Sequence, residues 1–189
     1  YWIILRNSSS RIIYQYKCLS KNLNLELELH EPKLAGLIRS EPAAFGTYRG
    51  REISFSAPGK GLQNTRQIET VLKVKLRDEI LNAQFASAGI MGRLRQRDSG
   101  KKSRWFSGDK NFDATIDIRS DQGERLKSIL TTEILQWLAH SLKKHRAQLY
   151  IGNGVIAYTE IGLIANDAMR ERLEQTVEFL CDFAQDIDV

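Results

Sequence analysis

The sequence predicts an α+β fold, with antiparallel sheet in one piece or in two similar sub-structures and helices packed on one face. Three observations lead there. Leu23–Leu29 and Glu69–Leu76 alternate apolar with polar residues, the period of a half-buried strand. Gln148–Tyr158 reads as a hairpin about Asn153-Gly154, the dipeptide that supplies the positive φ angles of a type I′ turn. Met169, Leu173, Val177, Leu180 and Ala184 fall on one stripe of a long helix. Strands, helix, hairpin and helix follow in that order, without the regular strand–helix alternation of a parallel sheet.

The remaining elements are read in chain order. Ser8–Ser10 offer a helix cap, and Ile12, Ile13, Tyr16 and Leu19 recur behind it at helical spacing. Pro32 suits the first turn of a short helix to about Ser40. Phe45–Ser56 reads as two strands about Arg49-Gly50, and Pro58–Gly61 as a loop. Ile80–Ala86 adds a strand and Ile90–Leu94 a short helix. Ile116 and Ile118 alternate with Asp117 and Arg119, a strand ending at Ser120. Asp121 and Glu124 have capping-box spacing for a helix bearing Leu126, Ile129 and Leu130. Thr131 or Thr132 re-caps a second helix with Ile134, Leu135, Leu138 and Leu142. Lys143, Lys144 and His145 close it, where positive charge complements the helix dipole. Asn166 or Asp167 caps the last helix.

With 189 residues, 42% of them hydrophobic and 27% charged, the chain is expected to form a single α+β domain over 1–189 with its own core. Cys18 and Cys181 are too few for a disulfide framework. They are read as reduced and at least partly buried, as in a cytosolic protein. The net charge of +5 is uneven. Glu160–Val189 carries eight acids against two arginines, a net of −6, so residues 1–159 carry +11. Mutual neutralisation within the fold is the plain reading of that asymmetry.

Tyr1–Leu5 is wholly apolar and is followed by Arg6, Arg11 and Lys17. Five residues do not span a bilayer, but residues 1–8 are readable as the remnant of an upstream membrane anchor, with the positive charges marking its cytoplasmic side.

The chemistry that the sequence nominates is anion binding. Arg93, Arg95, Arg97, Lys101, Lys102 and Arg104 place six cations in twelve residues against Asp98 alone, and Trp105 and Phe106 follow. Such a segment suits phosphates, those of anionic lipid head groups or of nucleic acid, and equally an acidic partner protein. With an anchor nearby, lipid is the simpler partner. Nucleic acid is the second reading, with Trp105 stacking on bases. A metal-dependent hydrolase built on Asp109 and Asp113 is the third. Asp109, Asp113 and Asp117 lack the spacing of a calcium loop, and Gly108-Asp109 reads as a turn in which Asp109 bonds local backbone. Gly100-Lys101 and Gly59-Lys60 lack the first glycine of a phosphate loop, with Arg95 and Ser54 in its place. His30, His140 and His145 form no metal-binding or triad pattern. No catalytic residue, metal ligand or cofactor is nominated.

The motif order adds a resemblance. Gly46, Tyr48, Gly50 and Arg51 in a strand pair, Gly108-Asp109 with Phe112-Asp113, and Leu130-Thr131 with Glu133 resemble a group of uncharacterised bacterial, cyanobacterial-type membrane-anchored proteins over roughly residues 10–185. The motifs mark a fold rather than a reaction. The resemblance implies a transmembrane segment upstream and carries no catalytic residue. The expectation is a non-catalytic binding domain, membrane-associated on the cytoplasmic side.

Overall fold

The computed structural model describes residues 2–29, 41–58, 68–89 and 102–189. The chain divides into two compact units, Tyr1–Lys75 with Ile161–Asp182, and Leu76–Glu160 with Phe183–Val189. Nine strands and five helices are described, and the strand pairs within each unit are antiparallel. The fold is α+β, as the sequence predicts. The expected helices at Pro32–Ser40 and Ile90–Leu94 and the glycines of the 58–61 loop lie outside the described residues.

The first unit opens with α1 (Trp2–Leu23). It runs through Ser8–Ser10 instead of starting there, because the residues before the serines are already helical. Tyr16, Leu19 and Leu23 form its buried stripe. Asn24, at φ 52°, ends it in the left-handed conformation. The amides of Asn24 and Leu25 return to the Lys21 and Ser20 carbonyls, the pairing of a Schellman cap. This cap takes Leu23–Leu25 out of the expected strand, so β1 is only Glu26–Glu28.

β2 (Ala43–Tyr48) and β3 (Arg51–Ser56) pair about the Arg49-Gly50 turn, at φ 49° and 78°. β4 (Glu69–Lys75) pairs with β3, giving the order β1-β2-β3-β4. Ala44, Ile53, Phe55, Leu72 and Val74 point into the core. Fully burying a side chain such as Phe55 stabilises the fold by roughly 2–3 kcal/mol. The last helix is numbered α5 (Asp167–Ile187) and belongs to this unit as far as Asp182. Its cap is Asn166, whose Oδ1 accepts from the Met169 amide at 2.8 Å. Met169, Leu173, Val177, Leu180 and Ala184 are all buried. Cys18 is half-buried and Cys181 buried, and burial pushes the Cys181 thiol above its ordinary value.

The second unit holds β5 (Ala83–Ser87), β6 (Arg104–Trp105), α2 (Lys110–Thr115), β7 (Ile116–Ser120), α3 (Gly123–Ile129), α4 (Thr132–Lys144), β8 (Gln148–Gly152) and β9 (Val155–Ile161). Its sheet order is β9-β8-β5-β7-β6. β5 starts three residues later than predicted, because Asp78 Oδ1 accepts from the Ile80 and Leu81 amides and holds that stretch as a turn. The Asn153-Gly154 turn is as predicted, at φ 52° and 72°. It also locks onto the chain leaving β4, since the Gly154 carbonyl accepts from the Leu76 amide at 2.7 Å.

Two helix starts differ from expectation. The capping box at Asp121 and Glu124 does not form. The N-cap of α3 is Gln122, and its side chain is turned away to the Asn82 amide and the Ile80 carbonyl. α2 was not predicted at all. By contrast, Thr131 caps α4 as expected, its hydroxyl accepting from the Ile134 amide. α4 packs over β5 and β7, and Phe85, Ile116, Ile118, Leu138 and Leu149 fill the space between.

Candidate functional site

Of the predicted basic segment, Arg93, Arg95, Arg97 and Lys101 lie outside the described residues, and Lys102, Arg104 and Trp105 lie within them. Lys102 and Arg104 are the described C-terminal part of it, and Trp105 follows. Lys102 reaches the Asn82 side-chain carbonyl, and desolvation pushes its ammonium below the ordinary lysine value, with Asp121 acting the other way. Ser103 and Ser120 are doubly bonded, amide to carbonyl at 3.0 Å and hydroxyl to carbonyl at 3.1 Å. The Trp105 indole N–H donates to the Gly123 carbonyl at 3.0 Å, and a Cβ on Gly123 would stand 3.2 Å from its ring. Trp105 is therefore half-buried and held. The exposed ring beside it is Phe106, with the Arg104 guanidinium 4.9 Å from its centroid.

Arg104 is tied twice more. Its Nη2 donates to the Asp113 carbonyl, and its Nε lies 3.8 Å from Asp117 Oδ1. Asp117 is buried on β7 and also faces Arg119 at 3.3 Å. The Asp117 Oδ1 and the Arg119 Nε are buried without a hydrogen bond. Ion pairing with Arg104 and Arg119 is what compensates the desolvated Asp117 carboxylate.

Asp109 and Asp113 do separate backbone work. Asp109 caps α2, accepting from the Asn111 and Phe112 amides at 2.8 and 3.3 Å. Asp113 accepts from the Ser107 amide and hydroxyl, both at 2.9 Å, and from the Gly108 amide. The turn reading of Gly108-Asp109 is what the chain adopts, with Gly108 at φ 91°. Among the described residues no group of three or more His, Cys, Asp or Glu is arranged to hold a metal ion. His30 lies outside them, and the His140 and His145 rings meet edge to face at 6.3 Å.

A second set of cations lies at the end of this unit where β5 finishes. Gln148, opposite Ala86, starts β8 there, and Asp117, also opposite Ala86, lies near the start of β7. Lys143 and Lys144 end α4 and Arg146 follows its C-cap, all three exposed. The signal was present in the sequence, since no acid occurs between Glu133 and Glu160.

Several acids of α5 have partners inside the first unit. Asp182 pairs with Arg49 at 2.7 Å, Glu178 accepts from the Tyr48 hydroxyl, and Glu174 accepts from Asn22 and Arg170. Arg170, with its side chain 12% exposed, also donates to Gln15 Oε1 at 2.9 Å. An open hollow of about 440 Å³ beside this network is lined by Arg11, Tyr14, Gln15 and Asp167 among others. No described helix is long and apolar enough to cross a membrane.

No protein-family model matches the chain, and no curated protein matches it. Among solved structures, the fold is similar to the crystal structure of the mycobacterial trehalose monomycolate transport factor A, TtfA. The TM-score is 0.60 at 11% identity, over 93% of this chain and 95% of that one. At that identity the likeness is one of fold.

Proposed function

We propose that the chain is a non-catalytic binding domain of a membrane-associated bacterial protein, and that it meets an anionic membrane surface through the basic segment Arg93–Arg104. The observation that carries this is charge placement: six cations in twelve residues, with Lys102 and Arg104 at the C-terminal end tied down by Asn82, Asp113 and Asp117. Such a cation cluster concentrates charge where a lipid surface can meet it, at about 1 kcal/mol per Lys or Arg. The fold shared with a transport factor is in keeping with a binding role. Asp109 and Asp113, occupied with backbone donors, offer no support for a hydrolase.

Vesicle co-sedimentation tests the reading. Binding to anionic vesicles is expected to fall with salt and to drop about a hundredfold in a triple Arg93→Gln, Arg95→Gln, Arg97→Gln variant. Equal, salt-insensitive binding to neutral and anionic vesicles would remove the lipid partner. Nucleic acid is the second reading, favoured by the exposed Phe106 beneath Arg104. An oligonucleotide that displaces the protein from vesicles while binding more tightly than they do would promote it.

A further inference from the structure

Among the described residues, four other than glycine have positive φ: Asn24, Arg49, Arg146 and Asn153. Asparagine tolerates the left-handed region because its side chain bonds locally. Arg49 has a partner there, Asp182 at 2.7 Å. Arg146 has neither excuse. It stands at φ 51°, one residue past the His145 C-cap of α4, the position where glycine is the usual occupant. Its side chain is exposed and forms no ion pair among the described residues. A strained backbone position held by a charged residue that pairs with no acid among the described residues points to a use for that charge outside the chain.

The surroundings define that use. Lys143 and Lys144 are exposed and likewise without ion pairs, and Lys110 on α2 is in the same state. Favourable interaction with the helix dipole accounts for Lys143 and Lys144 but not for Arg146, which lies beyond the helix. The acids of the α2 turn, Asp109 and Asp113, are engaged by local amides and the Ser107 hydroxyl. β5 ends at this same end of the unit, and the chain passes on there toward Arg93.

We propose that Lys143, Lys144 and Arg146 form a folded anionic-lipid contact, a fixed counterpart to the basic segment. The inference rests on the membrane reading above and names a different surface for it. Lys143 and Lys144 at the end of α4 and Arg146 just beyond it put three exposed cations within four residues, a short charged stretch that suits the closely spaced head groups of a lipid layer. A nucleic-acid strand instead asks for a track several nucleotides long with stacking rings along it.

The test compares the full chain with Arg146→Gly and with Lys143→Gln/Lys144→Gln on phosphatidylcholine vesicles, with and without phosphatidylglycerol, alongside thermal melts. Arg146→Gly is expected to melt at the same temperature or higher, because glycine relieves the backbone, while its binding to the anionic vesicles weakens about fivefold. The double lysine variant is expected to weaken binding about 25-fold. A lower melting temperature for Arg146→Gly would reveal a structural role and overturn the proposal. Unchanged vesicle binding in both variants, with the Arg93/Arg95/Arg97 variant still impaired, would overturn it and leave the broader reading standing. Wild-type protein that shows no preference for anionic vesicles would overturn both. Loss of oligonucleotide binding with vesicle binding intact would overturn it in favour of nucleic acid.

Discussion

Arg170 in the first unit and Arg146 in the second are held in opposite ways. In the first, Arg170 is almost enclosed, and Gln15, Asp167, Glu171 and Glu174 surround its guanidinium. Arg49 in the same unit has Asp182. In the second unit Arg104 and Arg119 crowd one buried aspartate, and Arg146 stands exposed without an acid among the described residues. In the first unit the acids of α5 take up Arg49 and Arg170. By sequence the first unit carries fourteen Lys and Arg against eleven acids and the second fourteen against twelve, so the contrast lies in how these arginines are held and not in net charge.

The largest expected effects test whether each unit rests on its own core. Phe55→Ala in the first and Phe85→Ala in the second should each cost about 3–5 kcal/mol. Hydrogen exchange reads the outcome: protection is expected to fall first in β2–β4 for one variant and in β5, β7 and β8 for the other. Loss of protection spread evenly over both units in both variants would break the comparison.

Arg170→Met comes next. It leaves Glu174 and Asp167 without their cation, and should cost about 2–3 kcal/mol in denaturant titration. Arg146→Gly should instead stabilise by about 0.5–1 kcal/mol. Opposite signs for the two arginines are the sharpest form of the contrast, and equal signs would refute it.

The pH limits should also differ. In the second unit Arg125 bonds Asp78 and, with the Ile80 and Leu81 amides, holds its carboxyl below the usual aspartate value. A depressed carboxyl stabilises the fold above the ordinary aspartate range, and that stability is lost as pH falls through the lowered value. Asp78→Asn should flatten this acid limb. In the first unit burial pushes the Tyr16 hydroxyl up to about 12. A tyrosine raised in the fold contributes fully below its unfolded value near 10 and loses that contribution as pH rises toward 12. Tyr16→Phe should remove the alkaline limb and leave the acid one. Melting temperature against pH separates the two.

Two hairpin turns complete the series, with the smallest effect at Arg49. Arg49→Gly gains backbone freedom but loses an exposed ion pair with Asp182, so its net change should lie within about 0.5 kcal/mol of zero. Gly154→Ala should cost about 1 kcal/mol, since φ is 72° and the new Cβ would sit 3.3 Å from Glu79 Cγ.

What could be read from the sequence was what local chemistry decides. Asn153-Gly154, Arg49-Gly50, the Thr131 cap and the α5 stripe depend on residues a few places apart, and all are found where expected. β1 was overestimated because an Asn24 cap competes with the alternating pattern for the same residues. α2 was missed because six residues with one buried side chain, Phe112, give no periodicity to detect. Gln122 replaced the expected Asp121–Glu124 cap through a bond to Asn82, forty positions away, and no spacing rule reports such a partner. The same limit applies to the site. Lys102, Arg104 and Trp105 look like solvent-facing residues in the sequence, but their partners Asn82, Asp117 and Gly123 come from distant parts of the chain. Arg146 looked ordinary because a positive φ on arginine leaves no trace in the sequence.

The outermost strands have a bearing on how the molecule behaves in a crowd. β1, at one margin, is three residues long with two exposed glutamates, and β6, at the margin of the second unit, is two residues long and starts with an exposed arginine. Strands this short, bearing charge, leave too few adjacent amides and carbonyls for a foreign strand to zip onto. Among the described strands, these two margins thus give little purchase for edge-to-edge polymerisation. Extending β6 by several uncharged, β-branched residues would remove that protection, and light scattering would register the first oligomers.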